Sequence, residues 1–290
     1  MRQLRSFRVV FRRWRQRVIR FWRLNAVVPR LLRFNAYTGY VGRRLFQYIP
    51  FLLPHDRSYY GFAHLVHPGD GFFLDVGAND GISAIGFKHI HSDYRVLSLE
   101  PNRWHEASLK RLTKKLKDFD YRIVGAGQKT CRQDLYMPFY QGVPIYTAAS
   151  LYKDYVDVSM RQQFADRARH KVEYVIQSVE IVRLDDWELA PDIIKVDTEG
   201  FEYEVLLGLG RTIARHRPFI MLEYNPDLLR KEVEFLKPLD YEMFVYVFKE
   251  DAFRPFTASS SRSNGTRVAE NIFCIPLEKK QGLPMVKGSS

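Results

Sequence analysis

The sequence is poor in cysteine, with only Cys131 and Cys274 among 290 residues. Two cysteines cannot build the disulfide framework of a small secreted domain, and their spacing matches no zinc site. We therefore interpret both as core thiols and predict a protein of a reducing, cytoplasmic compartment. The length suits one α/β domain with additions, or two small domains.

Acidic residues and lysine are missing from the N-terminal part of the chain. Residues 1–55 contain 13 Arg but no Lys, Asp or Glu. The rest of the chain holds 32 Lys and Arg against 33 Asp and Glu, so the net charge of +12 belongs to this N-terminal segment. A nearly neutral remainder lacks the basic face that a nucleic-acid enzyme needs, and no nucleic-acid partner is expected.

No long apolar run is present either. A membrane-spanning helix needs roughly 18 apolar residues, and a signal peptide needs an apolar core and a cleavage site. Residues 4–22 instead repeat with a helical period that separates apolar side chains from arginines. Such a helix is typical of one that lies in a membrane interface. Docking onto this protein or a partner, and an organelle presequence, are the alternatives.

From this pattern we predict a basic N-terminal arm and linker over residues 1–56. Within it, residues 1–25 are expected to bind an anionic membrane surface, which makes the protein peripheral on the membrane. The globular domain is predicted over 57–276, and residues 277–290 are interpreted as a tail.

A glycine-rich turn follows the first predicted strand of this domain. Residues 72–76 form a short apolar run around Asp75, which predicts a buried strand of a parallel sheet. Gly77 and Gly81 allow a sharp turn close to a ligand, and the next helix directs its N-terminal amides to the same place. Open α/β sheets bind their ligands outside the carboxyl ends of the strands. We therefore predict a cofactor site that includes Asp75, Gly77, Asn79 and Gly81.

The spacing of this turn separates two classes of cofactor. A dinucleotide site takes G-x-G-x-x-G, whereas here Asp75 replaces the first glycine and gives D-x-G-x-N-x-G. This pattern is similar to motif I of the S-adenosylmethionine (SAM) methyltransferases. Glu100 ends the next predicted strand, where it is expected to accept hydrogen bonds from both ribose hydroxyls. An NAD-dependent oxidoreductase remains the alternative enzyme.

Small residues follow the third predicted strand, which we place at residues 121–124. Gly125, Ala126 and Gly127 would let an adenine ring lie against the backbone, so Ala126 is a candidate cofactor contact. A tight turn explains these residues equally well. The following 132–183 segment is longer than a minimal crossover and reads either as a lid or acceptor surface, or as decoration.

A second informative stretch carries several acids. Residues 193–196 predict a buried strand, and Asp197, Glu199 and Glu202 follow within six residues. The helix dipole favours acids in a first helical turn, but three exceed what capping requires. Glu223 ends the next predicted strand. Clustered carboxylates repel, which either raises the pKa of one towards that of a useful base or attracts a divalent cation.

The candidate catalytic residues are therefore Asp197, Glu199 and Glu223. Asp197 has an alternative role as a partner of the SAM ammonium or of the acceptor. His105 is a weaker candidate, because a lone histidine is more often structural. A metal ligand set cannot be assigned from the sequence.

Together these stretches resemble the FkbM family of SAM-dependent methyltransferases. The resemblance covers about residues 68–225, and the K-x-D-x-E-G-x-E run from Lys195 to Glu202 is its most specific part. It implies a Rossmann-like methyltransferase fold, with a mostly parallel sheet of seven strands and the last strand antiparallel. It also implies SAM as the cofactor, and O-methylation of a carbohydrate, glycolipid or secondary-metabolite acceptor.

The chain departs from the family pattern in two places. Gly125–Gly127 stands where the family often has Asn or Asp, and the N-terminal arm and the segment around 150–172 fall outside the pattern. The acceptor therefore cannot be carried over. A non-catalytic SAM-binding module tethered to a membrane is the alternative of a different class, although such a module would not need the acidic cluster.

Overall fold

A computed structural model describes residues 54–65, 70–140, 142–163, 172–257, 262–263, 266–267 and 271–286. The predicted arm up to residue 53, including the membrane-binding segment 1–25, lies outside the described residues. Among the helices that are described, none is both long enough and apolar enough to cross a membrane.

The described strands and helices alternate along most of the chain. The strands are β1 (Phe72–Val76), β2 (Arg95–Leu99), β3 (Phe119–Arg122), β4 (Gly125–Ala126), β5 (Cys131–Tyr140), β6 (Val143–Pro144), β7 (Val172–Val182), β8 (Ile193–Val196), β9 (Phe219–Glu223), β10 (Tyr241–Val247), β11 (Ala252–Pro255), β12 (Arg262–Ser263), β13 (Thr266–Arg267) and β14 (Asn271–Pro276). The α-helices are α1 (Ile82–Lys88), α2 (Glu106–Leu112), α3 (Lys153–Gln163), α4 (Glu202–Gly208), α5 (Gly210–His216) and α6 (Leu229–Leu236). Short 3₁₀ turns include Arg57–His64, Arg103–His105 and Tyr146–Ala148.

The main sheet is mostly parallel and has β1 and β8 near its centre. In the described part of the chain its eight strands follow the order β11-β10-β14-β9-β8-β1-β2-β3. Strands β3, β2, β1, β8 and β9 are parallel, whereas β14 runs antiparallel to both β9 and β10. The predicted Rossmann-like methyltransferase sheet, with its last strand antiparallel, is therefore confirmed. The sheet has one strand more than the seven predicted, because the chain turns back after β10 and pairs β11 along the outer edge.

The sequence explains why β1 and β8 lie at the centre. All five residues of β1 and all four of β8 are buried, as expected for strands covered by helices on both faces. The Phe73 ring stacks on Phe87 of α1 at 3.8 Å between centroids, and Phe62 packs edge-on against both. Full burial of each such side chain is worth about 1.5–3 kcal/mol. This packing holds the carboxyl end of β1 in a fixed position.

The 132–183 insertion builds a second, smaller sheet. Its described strands follow the order β4-β7-β5-β6, and β5 pairs with β7 in antiparallel register from Cys131–Ile181 to Tyr140–Val172. The sequence predicts much shorter strands, at 135–137 and 175–182. The extra length comes from the polar and exposed ends of the ribbon, where alternation of apolar residues is weak. Helix α3 packs against this smaller sheet, and its Tyr155 side chain reaches Glu199 after β8.

Candidate active site

The glycine turn after β1 is shaped by the backbone of a neighbouring strand. Gly77 has φ +81°, and a Cβ at this position would lie 1.7 Å from the backbone oxygen of Asp197. Only glycine allows this close approach with a positive φ. The Gly77 and Ala78 amides both donate to the Leu99 carbonyl, at 2.9 and 3.0 Å. The ends of β1, β2 and β8 are thereby brought together around one cavity.

This cavity lies at the carboxyl ends of the parallel strands, where the sequence predicts a ligand site. Of the predicted cofactor residues, Gly77, Asn79, Glu100 and Ala126 line it. Asp197 and Glu199, two of the three predicted catalytic residues, also line this cavity. His105 is also on the wall, next to Tyr146, with ring centroids 4.8 Å apart. Burial lowers the pKa of His105 to about 4, so its ring is neutral at physiological pH.

Glu100 is placed to receive ligand hydroxyls. It is buried, yet it lines the cavity, and each of its carboxylate oxygens accepts one backbone amide at 2.8 Å, from Asn79 and from Asn102. A carboxylate has about four acceptor sites, so two remain for a ligand. Burial raises the pKa of Glu100 to about 7, against the effect of the two amides.

Asp75 lies beneath the cavity and does not form its wall. Its carboxylate is fully buried and accepts hydrogen bonds from the hydroxyls of Ser83, at 2.6 Å, and Ser98, at 2.8 Å. The Lys195 ammonium is 3.6 Å from it. Gly81 is likewise set back from the cavity at the N-terminus of α1, where a Cβ would lie 2.2 Å from Leu112. Both residues support the turn from behind.

Lys195 connects the two halves of the site. Its buried ammonium donates to the Gly77 carbonyl at 2.9 Å and lies 3.2 Å from the Asp197 carboxylate. Burial alone would lower the pKa of Lys195, but Asp197 and Asp75 outweigh this effect and raise it overall. Lys195 thus remains charged and ties the glycine turn to the acidic turn.

The acidic turn after β8 is held in a strained conformation. Glu199 has φ +54° and is followed by Gly200 with φ +96°. The buried Glu202 carboxylate accepts the amides of Thr198, at 2.7 Å, and Gly200, at 3.1 Å. Glu202 therefore fixes the turn, whereas Glu199 faces the cavity. A strained non-glycine residue held by its surroundings is a common feature of functional sites.

The structure brings the three predicted catalytic carboxylates together. One oxygen each from Asp197, Glu199 and Glu223 lies within 4.8 Å of the others. Glu223 reaches this cluster from the end of β9, behind the two residues that line the cavity. Burial, followed by repulsion from Asp197 and Glu202, raises the pKa of Glu199 to about 8.

The insertion contributes one wall of the cavity. Ser150 and Leu151 line it, and the Ser150 hydroxyl donates to the Glu199 carbonyl at 2.7 Å. On α3, the Tyr155 hydroxyl donates to the Glu199 carboxylate at 3.3 Å. The Tyr155 ring also covers Gly200, where a Cβ would lie 2.6 Å from it. The segment interpreted as a lid or acceptor surface thus contacts Glu199 through both its backbone and its side chain.

Sequence reasoning missed several of these residues. Lys195 carried a usable signal, because a lysine inside an apolar strand must find buried counter-charges. Ser150, Tyr155 and His55, which also lines the cavity, carried none. They reach the site through contacts between distant parts of the chain.

A mostly parallel sheet, a glycine turn with an acid beneath it, and a second acid ending the next strand define a protein of the Rossmann-like methyltransferase class. The chain belongs to the FkbM methyltransferase family, because the model of the "Methyltransferase FkbM domain" matches residues 75–249. The family supports methyl transfer and SAM as the cofactor. No curated protein matches the chain in a sequence comparison.

Solved structures that are similar to this chain include three methyltransferases. An FkbM methyltransferase from Methylobacillus flagellatus KT is 19% identical over 71% of this chain and 43% of its own, with a TM-score of 0.44. A precorrin-6y C5,15-methyltransferase from Geobacter metallireducens GS-15 is 14% identical over 75% of this chain and 84% of its own, with a TM-score of 0.39. A SAM-dependent O-methyltransferase from Thermotoga maritima is 13% identical over 77% of this chain and 65% of its own, also with a TM-score of 0.39. This chain spans less than half the length of the FkbM methyltransferase from Methylobacillus flagellatus KT.

Proposed function

We propose that this chain is a SAM-dependent O-methyltransferase that acts on a hydroxyl of a sugar, a glycolipid or a related natural product. The observation that carries the proposal is that one cavity holds both a buried hydroxyl-accepting carboxylate, Glu100, and an acid whose pKa is raised to about 8, Glu199. Glu100 suits the hydroxyls of a ribose, and Glu199 suits the hydroxyl of an acceptor.

The residues present fit SAM. Gly77 and Asn79 line the cavity beside Glu100, whose carboxylate keeps two acceptor sites after binding two backbone amides. Asp197, whose side chain is 36% exposed, provides a negative partner for an ammonium. Gly77, Asn79, Glu100 and Ala126 would therefore hold the nucleoside, with Asp197 near the amino-acid end.

When bound, SAM supplies an electrophilic methyl group for an in-line displacement, so the protein mainly has to orient the acceptor. A sugar hydroxyl is a poor nucleophile near neutral pH, and a positioned base accelerates its reaction. We assign this role to Glu199, whose carboxylate takes the hydroxyl proton as the oxygen–methyl bond forms. Tyr155 and Glu202 keep this carboxylate and its turn in place.

The three carboxylates also have the donor chemistry that a divalent cation requires. A cation there would activate the hydroxyl directly instead of leaving the proton to Glu199. We favour the base, because Tyr155 already donates to one oxygen of Glu199. Loss of activity with a chelator, restored by magnesium or manganese, would favour the cation.

An NAD-dependent oxidoreductase is the rival enzyme. A dinucleotide would place its anionic pyrophosphate in a cavity that already contains the Asp197 carboxylate, which Coulomb repulsion disfavours. Isothermal titration of the full chain with SAM and with NAD separates the two. We expect heat of binding with SAM only. Binding of NAD alone would overturn the assignment.

Replacing Glu100 with alanine is expected to weaken SAM binding at least tenfold. The change removes the acceptor for two ribose hydroxyls, and a hydrogen bond to a charged group is worth roughly 1.5–3 kcal/mol. The measurement is the dissociation constant from isothermal titration. Glu106→Ala, which removes an exposed acid from nearby α2, is the matched control and should bind SAM like the wild type. Unchanged affinity in a folded Glu100→Ala protein would contradict the assignment.

We further propose that residues 1–25 hold the enzyme on an anionic, cytoplasmic membrane surface, where a lipid-linked acceptor would be found. The segment carries nine Arg and no acid, and its helical period predicts an apolar face that includes Trp14. Each arginine near an anionic leaflet contributes about 1 kcal/mol, and buried aromatic side chains add to this.

Trp14→Glu is therefore expected to release the full chain from vesicles. It puts an acid into the apolar face and removes its large side chain. The wild type should sediment with anionic vesicles, less with neutral ones, and less in high salt, which screens charges beyond roughly 8 Å. Trp104→Glu makes the same change at a 43% exposed tryptophan of the folded domain and should still sediment. If a variant that lacks residues 1–25 sediments with vesicles as well as the wild type does, the arm has another role.

A further inference from the structure

His55 contributes to the cavity from outside the part of the chain that defines the family. It precedes β1 in the segment predicted to be a linker, and it lies upstream of the matched residues 75–249. Nevertheless, it lines the same cavity as Asn79, Glu100 and Asp197.

The segment around His55 is fixed in place by a glycine of α1. A Cβ at Gly86 would lie 3.3 Å from His55 Nδ1 and 3.5 Å from the Pro54 Cα, so the absence of a side chain permits this close approach. The His55 ring also packs against Tyr59, with centroids 4.6 Å apart. The imidazole is thus held against α1, beside the glycine turn.

Asp56 anchors the same segment from the other side. Its carboxylate accepts the Ser58 amide at 2.6 Å and the Asn271 side-chain amide at 3.0 Å. Asn271 begins β14 of the main sheet. The position of His55 is therefore set by both a helix and a strand, and not by its own short segment alone.

The surroundings of His55 favour a neutral ring with one donor. Burial lowers the pKa of His55, against the opposing effect of Asp56, so the imidazole is uncharged at neutral pH. Its Nδ1 is buried against Gly86 and has no hydrogen-bond partner among the described residues. A proton on Nδ1 would be a buried donor without an acceptor, which is costly. The proton is better placed on Nε2.

Two other polar side chains of the cavity wall already have partners. Lys195 donates to the Gly77 carbonyl and lies between Asp75 and Asp197, and the Ser83 hydroxyl donates to Asp75. His55, Lys195 and Asp197 all line the same cavity.

The amino-acid end of SAM carries an ammonium and a carboxylate. Asp197 matches the ammonium, and the carboxylate needs a donor. We propose that His55 donates a hydrogen bond from Nε2 to this carboxylate and so orients the amino-acid end of SAM. The inference rests on the proposed SAM-binding function and adds a binding residue to it.

The test compares two ligands that differ only at this end. S-adenosylhomocysteine has the amino-acid group, whereas 5′-methylthioadenosine lacks it. His55→Ala in the full chain is expected to weaken binding of S-adenosylhomocysteine about 10- to 100-fold, the range for a hydrogen bond to a charged acceptor. Binding of 5′-methylthioadenosine should stay unchanged. His55→Gln, which keeps a donor, should recover part of the loss.

His105→Ala is the matched control, since it removes the other histidine of the cavity wall. It should change the affinities of the two ligands by the same factor. Dissociation constants come from isothermal titration, and melting temperatures verify that each variant is folded. If the wild type binds neither ligand nor SAM, the proposed function fails. If the wild type binds both but His55→Ala weakens both equally, or neither, His55 has no part in holding the amino-acid end.

Discussion

Exchanging Glu199 for glutamine is expected to lower turnover by about 10²- to 10⁴-fold, the usual contribution of a positioned acid or base. Glutamine keeps the size of the side chain but cannot take the acceptor proton. Because the pKa of Glu199 is raised to about 8, wild-type turnover should rise with pH and level off above about 8. The residual turnover of the variant should lack this rise. The measurement is transfer of label from SAM into glycolipid extracts across this pH range.

The stability of the same variant provides the control. Folding raises the pKa of Glu199, so this carboxyl group favours the folded state most below its ordinary pKa of 4.5, where it is protonated in both the folded and the unfolded protein. This contribution to stability is lost as the pH rises towards about 8. Glu199→Gln should therefore be more stable than the wild type above pH 8, by about 1–2 kcal/mol after allowing for solvent screening, and the two should converge at acid pH. Exposed Glu106→Gln should show no such trend. If Glu199→Gln keeps full activity, Glu199 is a structural residue of the turn and not the base.

Replacing Lys195 with methionine is expected to destabilise the protein by about 3–5 kcal/mol, the cost of removing one partner from a buried ion pair. Asp75 is fully buried and Lys195 nearly so, and the ammonium also donates to the Gly77 carbonyl. Methionine fills the space but leaves Asp75 without its counter-charge. The midpoint of urea unfolding measures the loss.

A second substitution separates this effect from loss of packing. Asp75→Asn combined with Lys195→Met removes the uncompensated charge and should recover a large part of the stability. Lys153→Met removes a half-exposed lysine paired with Asp157 on α3, and its cost should stay below about 1 kcal/mol. If Lys195→Met costs as little as Lys153→Met, the buried pair does not hold the two turns together.

The sequence was most informative where the functional group and its structural reason are local. Gly77, Glu100 and Asp197 each follow directly on a short apolar strand, and the carboxyl ends of neighbouring parallel strands meet at one edge. The pattern therefore placed the cavity and most of its acids. The same reasoning gave the order of strands and helices, because apolar runs alternate with helical periods.

The sequence could not predict contacts that depend on strand register or on the packing of distant elements. Asp75 pairs with Ser98 on one side and with Lys195 on the other, and its carboxylate is buried against their side chains instead of lining the cavity. Nothing in the spacing of the motif indicates this register. Tyr155 is 44 residues from Glu199 in sequence, and its contact depends on how α3 packs. The eighth strand, β11, depends in the same way on a turn after β10.

The contact of the insertion with Glu199 limits how the enzyme can be redesigned. A designer who wants a new acceptor would exchange the segment between β4 and β8, which builds one wall of the cavity. Ser150 and Tyr155 of that segment also hold Glu199 in its position. A transplanted insertion would therefore have to supply a serine and a tyrosine at equivalent positions, or the chimera would gain a new binding surface and lose the contacts that hold the proposed base. If Glu199 is the base, selectivity and reactivity are inherited together in this architecture.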